Sequence, residues 1–157
     1  MFYCLEPFSV LVVTMHLKVF TDAGARGNPG PAAFAFLICS EEGKVLKESA
    51  GFIGEATNNE AEYSGLIAGL EEEKRLGADE VTVTMDSELV VNQMLGKYRV
   101  KAVNLLPNYE KARELLSCFS KAEIVHASRE HPSIRRADCL VNQELDMMEL
   151  AQKIRKR

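Results

Sequence analysis

Apolar and polar residues alternate from His16 to Thr21, which predicts a strand ending at Asp22. Ala23 to Pro31 is rich in Gly and Pro and reads as a turn segment. A second strand follows from Ala32 to Cys39, then a hairpin turn at Glu41-Glu42-Gly43, then a third strand from Lys44 to Phe52. The period then changes. Asn58 or Asn59 is placed to cap a helix that runs to about Leu76 and stops at Gly77, with Leu66, Ile67 and Leu70 as its apolar stripe. Alternating Val and Thr between Glu80 and Met85 favour a fourth strand. Ser87 can cap a short helix from Glu88 to about Leu95, stopped by Gly96. A basic, polar connection from Gly96 to Asn104 leads into a helix from Leu105 to Phe119, with Pro107 near its start, where proline is tolerated. Lys121 to Ala127 reads as the last strand, Ser128 to Ile134 as a loop, and Arg135 to the C-terminus as a final helix. The order βββαβααβα predicts an α/β domain. Its five-stranded mixed sheet is a hairpin sheet extended by parallel strands, with helices on both faces.

At 157 residues the length suits one domain with a substantial core. Met1 to Thr14 is apolar and stands apart from the patterned region. It lacks the basic start of a secretory signal and carries Glu6 and Pro7. We read residues 1–14 as an N-terminal extension of unknown role and residues 15–157 as the domain, a docked surface segment being the rival reading. No apolar run approaches the length of a membrane span, so no membrane partner is expected. The four cysteines show no paired metal-ligand spacing. Cys39 and Cys118 lie in apolar runs, where buried free thiols are common. A reducing, cytoplasmic setting is the expectation, with a disulfide left open.

Four acids stand in distinctive settings. Asp22 follows Val-Phe-Thr, Glu62 lies in Thr-Asn-Asn-Glu-Ala-Glu-Tyr, Asp86 follows Val-Thr-Val-Thr-Met, and Asp138 lies in Arg-Arg-Ala-Asp-Cys-Leu-Val-Asn. Two follow strands and two open helices, so all four can meet at one rim of the sheet. Like charges so gathered repel unless a cation lies between them, and hard divalent ions take oxygen ligands. The pattern points to metal-assisted chemistry on a phosphate ester. The net charge of −4 argues weakly against a nucleic-acid binder, but these four acids equal the whole of that balance.

In combination and in order, Asp-x-x-x-x-Gly-Asn-Pro-Gly, Thr-Asn-Asn-x-x-Glu, strand-Asp-Ser and Ala-Asp-x-Leu-Val-Asn resemble the ribonuclease H family, type 1 class. The resemblance runs from Leu17 to about Leu145. It implies the ribonuclease H-like fold and an endoribonuclease that hydrolyses the RNA strand of RNA–DNA hybrids, leaving 5′-phosphate and 3′-hydroxyl ends. It also implies two Mg²⁺ ions per site, with Mn²⁺ as the alternative, held by Asp22, Glu62, Asp86 and Asp138, which are then both metal ligands and catalytic residues. Asp22 is the expected bridging ligand, Asp138 the expected ligand of the water-activating ion, and Glu62 and Asp86 those of the leaving-group ion. Glu60 is a decoy, better suited to the helix dipole. The substrate contacts implied are Gly24 and Asn28 in the first turn, Asn58 and Asn59, Ser87, and Arg129.

The family often carries a histidine in the loop before its last aspartate. Here that position is Ser128, and His131 matches a second loop histidine that is not generally catalytic; Arg129 is the candidate for the electrostatic role. Glu88 replaces a frequent glutamine and Ala23 a common glycine. Grip on the hybrid is expected from Lys97, Tyr98, Arg99 and Lys101 or from Lys153, Arg155, Lys156 and Arg157, although such a tail is also an ordinary solvated helix end. Neither an obligate protein partner nor assembly beyond a monomer is implied. Three rival readings remain open at this point: a catalytically silent hybrid-binding module, a relative acting on duplex RNA or structured DNA, and a broader nuclease that needs a fused partner.

Overall fold

The computed structural model describes residues 11–157. Three strands, β1 (His16–Ala25), β2 (Gly30–Ser40) and β3 (Val45–Ala56), precede helix α1 (Asn58–Arg75). Then come β4 (Glu80–Met85), α2 (Glu88–Met94), a single 3₁₀ turn at Val103–Leu105, α3 (Leu106–Leu116), β5 (Lys121–His126) and α4 (Pro132–Arg155). The sheet order is β3-β2-β1-β4-β5. β1 and β2 pair antiparallel, as do β2 and β3, whereas β1–β4 and β4–β5 are parallel. This is the five-stranded mixed sheet expected from the patterning, with β1 at its centre.

Side-chain parity divides the core. Leu17 and Val19 of β1, Phe36 and Ile38 of β2, and Val81, Val83 and Met85 of β4 form one buried cluster with Leu66 and Leu70 of α1, Val90 of α2 and Leu115 of α3. Ala33, Ala35 and Leu37 of β2 face the other way, against Ala137, Val141 and Leu145 of α4, with Phe20 packed beside them. Asp22 shares the parity of Phe20, which turns it toward the α4 side of the sheet. α1 lies close against β1 and β2. A Cβ at Gly65 would meet the Phe34 Cβ at 3.2 Å, and one at Gly69 would meet Val19 Cγ2 at 3.0 Å.

Several boundaries differ from the sequence expectation. β1 does not end at Asp22 but continues to Ala25, because Asp22, Ala23, Gly24 and Ala25 pair in register with β2. β3 likewise continues past Phe52 to Ala56. The cap of α1 is Thr57, not Asn58 or Asn59: Thr57 Oγ1 accepts from Glu60 N at 3.2 Å, and Glu60 Oε2 accepts from Thr57 N at 2.7 Å. α3 ends at Leu116 instead of Phe119. α4 begins at Pro132 rather than Arg135, capped by His131, whose Nδ1 accepts from Ser133 N at 3.2 Å. Cys39 is buried as expected, but Cys118 is exposed, just past the end of α3, and all three described cysteines are free. Of the extension expected over residues 1–14, residues 1–10 lie outside the described residues, and residues 11–14 are exposed without regular structure. Among the described residues, no helix is long and apolar enough to cross a membrane.

Candidate active site

Asp22 reaches the site from the central strand, three residues before β1 ends. Glu62 comes from the first turns of α1, where the capping box fixes the direction of the helix. Asp86 follows directly on β4, and Ser87 then caps α2 by accepting from Val90 N at 3.4 Å. Asp138 comes from the second turn of α4. These ends meet at a cavity of about 450 Å³ lined by Asp22, Ala23, Gly24, Asn58, Asn59, Glu62, Asp86, Ser87, Arg129, Ile134, Arg135 and Asp138. One carboxylate oxygen from each of Asp22, Glu62 and Asp86 lies within 4.8 Å of the others. Asp138 is exposed and stands outside that trio, yet it lies close enough to Asp22 to act on it by charge and hydrogen bonding.

The electrostatics are those of crowded negative charge. Burial, then the Asp86 charge, push the Asp22 carboxyl up to about 8, with Asp138 adding to the rise and a backbone hydrogen bond from Ala23 opposing it. Glu62 is held well above the ordinary carboxylate range, first by burial and then by Asp22 and Asp86, while Arg129 pulls the other way. Glu62 Oε2 is buried and has no hydrogen-bond partner among the described residues. Arg129 Nε donates to Asp86 Oδ2 at 3.1 Å, although its side chain is 89 % exposed. The cluster is thus short of positive charge. A buried, unpartnered carboxylate oxygen facing two other acids is the donor set that hard divalent cations take.

The remaining expected residues fall into two groups. Gly24, Asn58, Asn59, Ser87 and Arg129 all line the cavity. Asn28 does not; its Oδ1 accepts from Asn58 N at 3.0 Å, while Asn58 Oδ1 accepts from Ala25 N at 2.9 Å, so the two asparagines fasten the β1–β2 turn to the start of α1. Glu60 points away from the acids and accepts from Asn104 Nδ2 at 3.1 Å as well as capping the helix. His131 is stacked on Phe20 with ring centroids 5.0 Å apart. Arg135 and Ile134 line the cavity and were not singled out from sequence; the signal for Arg135 was its spacing of three from Asp138 on one helix, which puts both on one face.

Comparison with known proteins agrees with this fold. The family described as "Reverse transcriptase-like" matches residues 20–144. A "Bifunctional protein" of Mycobacterium tuberculosis is 44 % identical over 133 residues, covering 84 % of this chain and 36 % of that protein. Ribonuclease HI of Halobacterium salinarum is 40 % identical over 130 residues, covering 83 % of this chain and 64 % of that protein. The chain therefore spans less than two thirds of the length of these relatives. Among solved structures, LC11-RNase H1 in complex with an RNA/DNA hybrid superposes with a TM-score of 0.78 at 43 % identity, covering 84 % of this chain and 98 % of that one. With its strand order, the four acids in their sequence settings and these matches together, the chain belongs to the ribonuclease H family, type 1 class.

Proposed function

We propose that this protein is a divalent-metal-dependent endoribonuclease that hydrolyses the RNA strand of RNA–DNA hybrids, leaving 5′-phosphate and 3′-hydroxyl ends. The observation that carries the reading is the meeting of Asp22, Glu62 and Asp86 within 4.8 Å, with Asp138 on the same cavity wall. The family supports nuclease chemistry, and the hybrid bound to LC11-RNase H1 supports the substrate.

The acids fit divalent ions: Asp22 would serve as the shared ligand, Asp138 would help to hold the water-activating ion, and Glu62 and Asp86 would hold the leaving-group ion. When bound there, two Mg²⁺ or Mn²⁺ ions supply a water of lowered pKa, charge stabilisation on the phosphate and a stabilised leaving oxygen. The chain does the rest by placement. Asp22 sits on the central strand, paired with Ala35 of β2, one residue beyond the last pair between β1 and β4. Gly24 lets the RNA backbone approach the strand end, where nothing lies within 4 Å of the position its Cβ would take. The half-buried Asn59 and Ser87 line the cavity and offer hydrogen bonds, and Gly24 with Asn59 would read the 2′-hydroxyl that separates RNA from DNA. Arg129, already over Asp86, is almost fully exposed and can turn to a phosphate oxygen, which would leave the buried Asp86 carboxylate to the bound cations.

The test is incubation of labelled RNA–DNA hybrid, duplex RNA, duplex DNA and single-stranded RNA with and without Mg²⁺ or Mn²⁺, with end analysis of the products. Cleavage confined to the hybrid and abolished by a chelator is expected. Hybrid binding without cleavage would identify a silent binding module. Preferential cutting of duplex RNA would identify a different substrate for the same fold.

A further inference from the structure

Arg26 lies in the turn between β1 and β2, four residues after Asp22, and reaches across to α4. Its Nη2 is 2.7 Å from Asp146 Oδ1 and its Nη1 is 2.7 Å from Glu149 Oε1. Nη2 also lies 3.5 Å from both the carbonyl and Oδ1 of Asn142. Asn142 in turn donates through Nδ2 to the carbonyl of Asp138 at 3.0 Å. Asp138, Asn142, Asp146 and Glu149 fall at intervals of four, four and three, so they form one stripe along the helix. Arg26 therefore grips the same face of α4 that presents Asp138.

The body of α4 rests on the sheet through Ala137, Val141 and Leu145 against Ala33, Ala35 and Leu37. Such contacts are not directional, and two of the three β2 side chains beneath the helix are single methyl groups. Polar fasteners must then set the rotation of the helix about its own axis. On α4 itself the described ion pairs are those of Arg26 with Asp146 and Glu149, and of Arg136 with Glu48 on β3. The turn at the other end of the grip is already fixed: Ala25 N and Asn28 Oδ1 are tied to Asn58, and Arg26 N donates to Pro31 O at 2.8 Å. Arg26 thus couples a rigid turn to the second half of a helix whose other ion pair, Arg136 with Glu48, lies near its start.

We propose that Arg26 is a positioning residue that locks the rotation of α4 so that Asp138 faces Asp22, and so sets the affinity of the acid cluster for divalent ions. The inference rests on the metal-dependent reading above. It assigns the loss to metal binding and not to hybrid binding, because the turn keeps its ties to α1 when Arg26 is removed. Loss of a residue that orients a ligand typically costs ~10–100-fold in metal affinity.

The experiment is Mn²⁺ titration by calorimetry, without nucleic acid, on the wild type, Arg26→Ala, Arg26→Lys, Asp22→Asn and the triple variant Arg26→Ala/Asp146→Asn/Glu149→Gln. Cleavage is measured in parallel across Mg²⁺ and hybrid concentrations. The expected result is Mn²⁺ binding about tenfold weaker in Arg26→Ala and a matching rise in the Mg²⁺ needed for half-maximal rate, by the same orienting effect. KM for the hybrid should stay within about twofold, because the phosphate contacts are elsewhere. The triple variant should keep the defect, and Arg26→Lys, which can hold one acid, should show a smaller one; it also serves if Arg26→Ala does not fold. Wild-type affinity in Arg26→Ala overturns the proposal, and so does full recovery in the triple variant, which would mean that Arg26 acts by neutralising charge alone. Wild-type protein that takes up no Mn²⁺, or takes it up equally well as Asp22→Asn, overturns the metal-site reading and this inference with it.

Discussion

Arg129 Nε donates to Asp86 Oδ2 across 3.1 Å, joining the loop before α4 to the residue that follows β4. The cation is almost fully exposed while the Asp86 side chain is buried, so the arginine is free to move but the acid needs a cation beside it. Arg129→Ala should raise KM several-fold and flatten the salt dependence of hybrid binding by about one unit of slope. A salt series of binding isotherms for the two proteins reads this directly; unchanged KM and slope would confine Arg129 to the ion pair.

Asp22→Asn should abolish cleavage and keep the fold. A loss of more than ~10³ in rate is expected from removal of a shared ligand, at tenfold for each ~1.4 kcal/mol. Single-turnover assays with circular dichroism as the folding control test it. Near-wild-type turnover would sink the assignment of Asp22 as the bridging ligand.

Glu60 and Glu62 are two residues apart on α1 and should behave oppositely. Glu62→Gln should lose nearly all activity. Glu60→Gln should keep activity within a few-fold and destabilise the protein by up to about 1 kcal/mol through the weakened capping box. Comparing melting temperature with rate for both variants decides the matter, and the reverse order would show that the helix had been misread.

Two buried acids give the metal-free protein an unusual pH profile. Asp22 is raised to about 8 by burial and its acidic neighbours, and Glu73, fully buried in α1 with neither carboxyl oxygen hydrogen-bonded, to about 9 by burial alone. Both values lie above those of the unfolded chain, so the folded state holds more protons over that interval. The stability these two groups contribute should be fully present below the ordinary carboxylate range and be lost as the pH rises through 8 and 9, whereas Glu48, Glu60 and Glu72, held low by their hydrogen-bond partners, lose theirs as the pH falls. Urea unfolding at a series of pH values with chelator present should show the decline. Mg²⁺ should offset the part due to Asp22 but not the part due to Glu73, and Glu73→Leu should stabilise the protein at pH 8 by on the order of 2 kcal/mol. A flat profile would mean that Glu73 finds a partner in solution.

His131→Ala should cost about 1 kcal/mol of stability, from the lost cap on α4 and the lost stack on Phe20, and reduce the rate far less than Asp138→Asn. A general acid or base would cost ~10²–10⁴ in rate. A rate loss of that size, measured under single-turnover conditions, would give His131 a chemical role.

The acids were readable because each sits beside a local signal. A strand run precedes Asp22 and Asp86, the Thr-Asn-Asn start precedes Glu62, and a helical pattern contains Asp138. What escaped the sequence is mostly long-range. Pairing with β2 carries β1 beyond Asp22, and nothing in Ala23-Gly24-Ala25 announces it. The grip of Arg26 on Asp146 and Glu149 joins residues more than a hundred positions apart. Glu73 sits in the run Glu71-Glu72-Glu73-Lys74-Arg75, which reads as a solvated face. Only the packing reveals that Glu72 meets Lys47 and Arg75 while Glu73 is turned inward. Asn58 and Asn59 look like caps as much as Thr57 does, and the cap fell to the residue whose partner three positions on completes a reciprocal pair.

Gly65 and Gly69 bring α1 against the central strand, with the position for a Cβ on Gly65 only 3.5 Å from the carbonyl oxygen of Asp22. These two positions carry no chemistry, yet they act as the ruler of the acid cluster. A methyl group at Gly69 would crowd Val19 of β1 at 3.0 Å, and one at Gly65 would crowd Phe34 of β2 at 3.2 Å, while Glu62 rides on the helix and Asp22 on β1. The spacing of the two carboxylates would then depend on side chains that are not there. Selection for ion binding would reach beyond the residues that touch the ions to two silent places one and two turns further along α1.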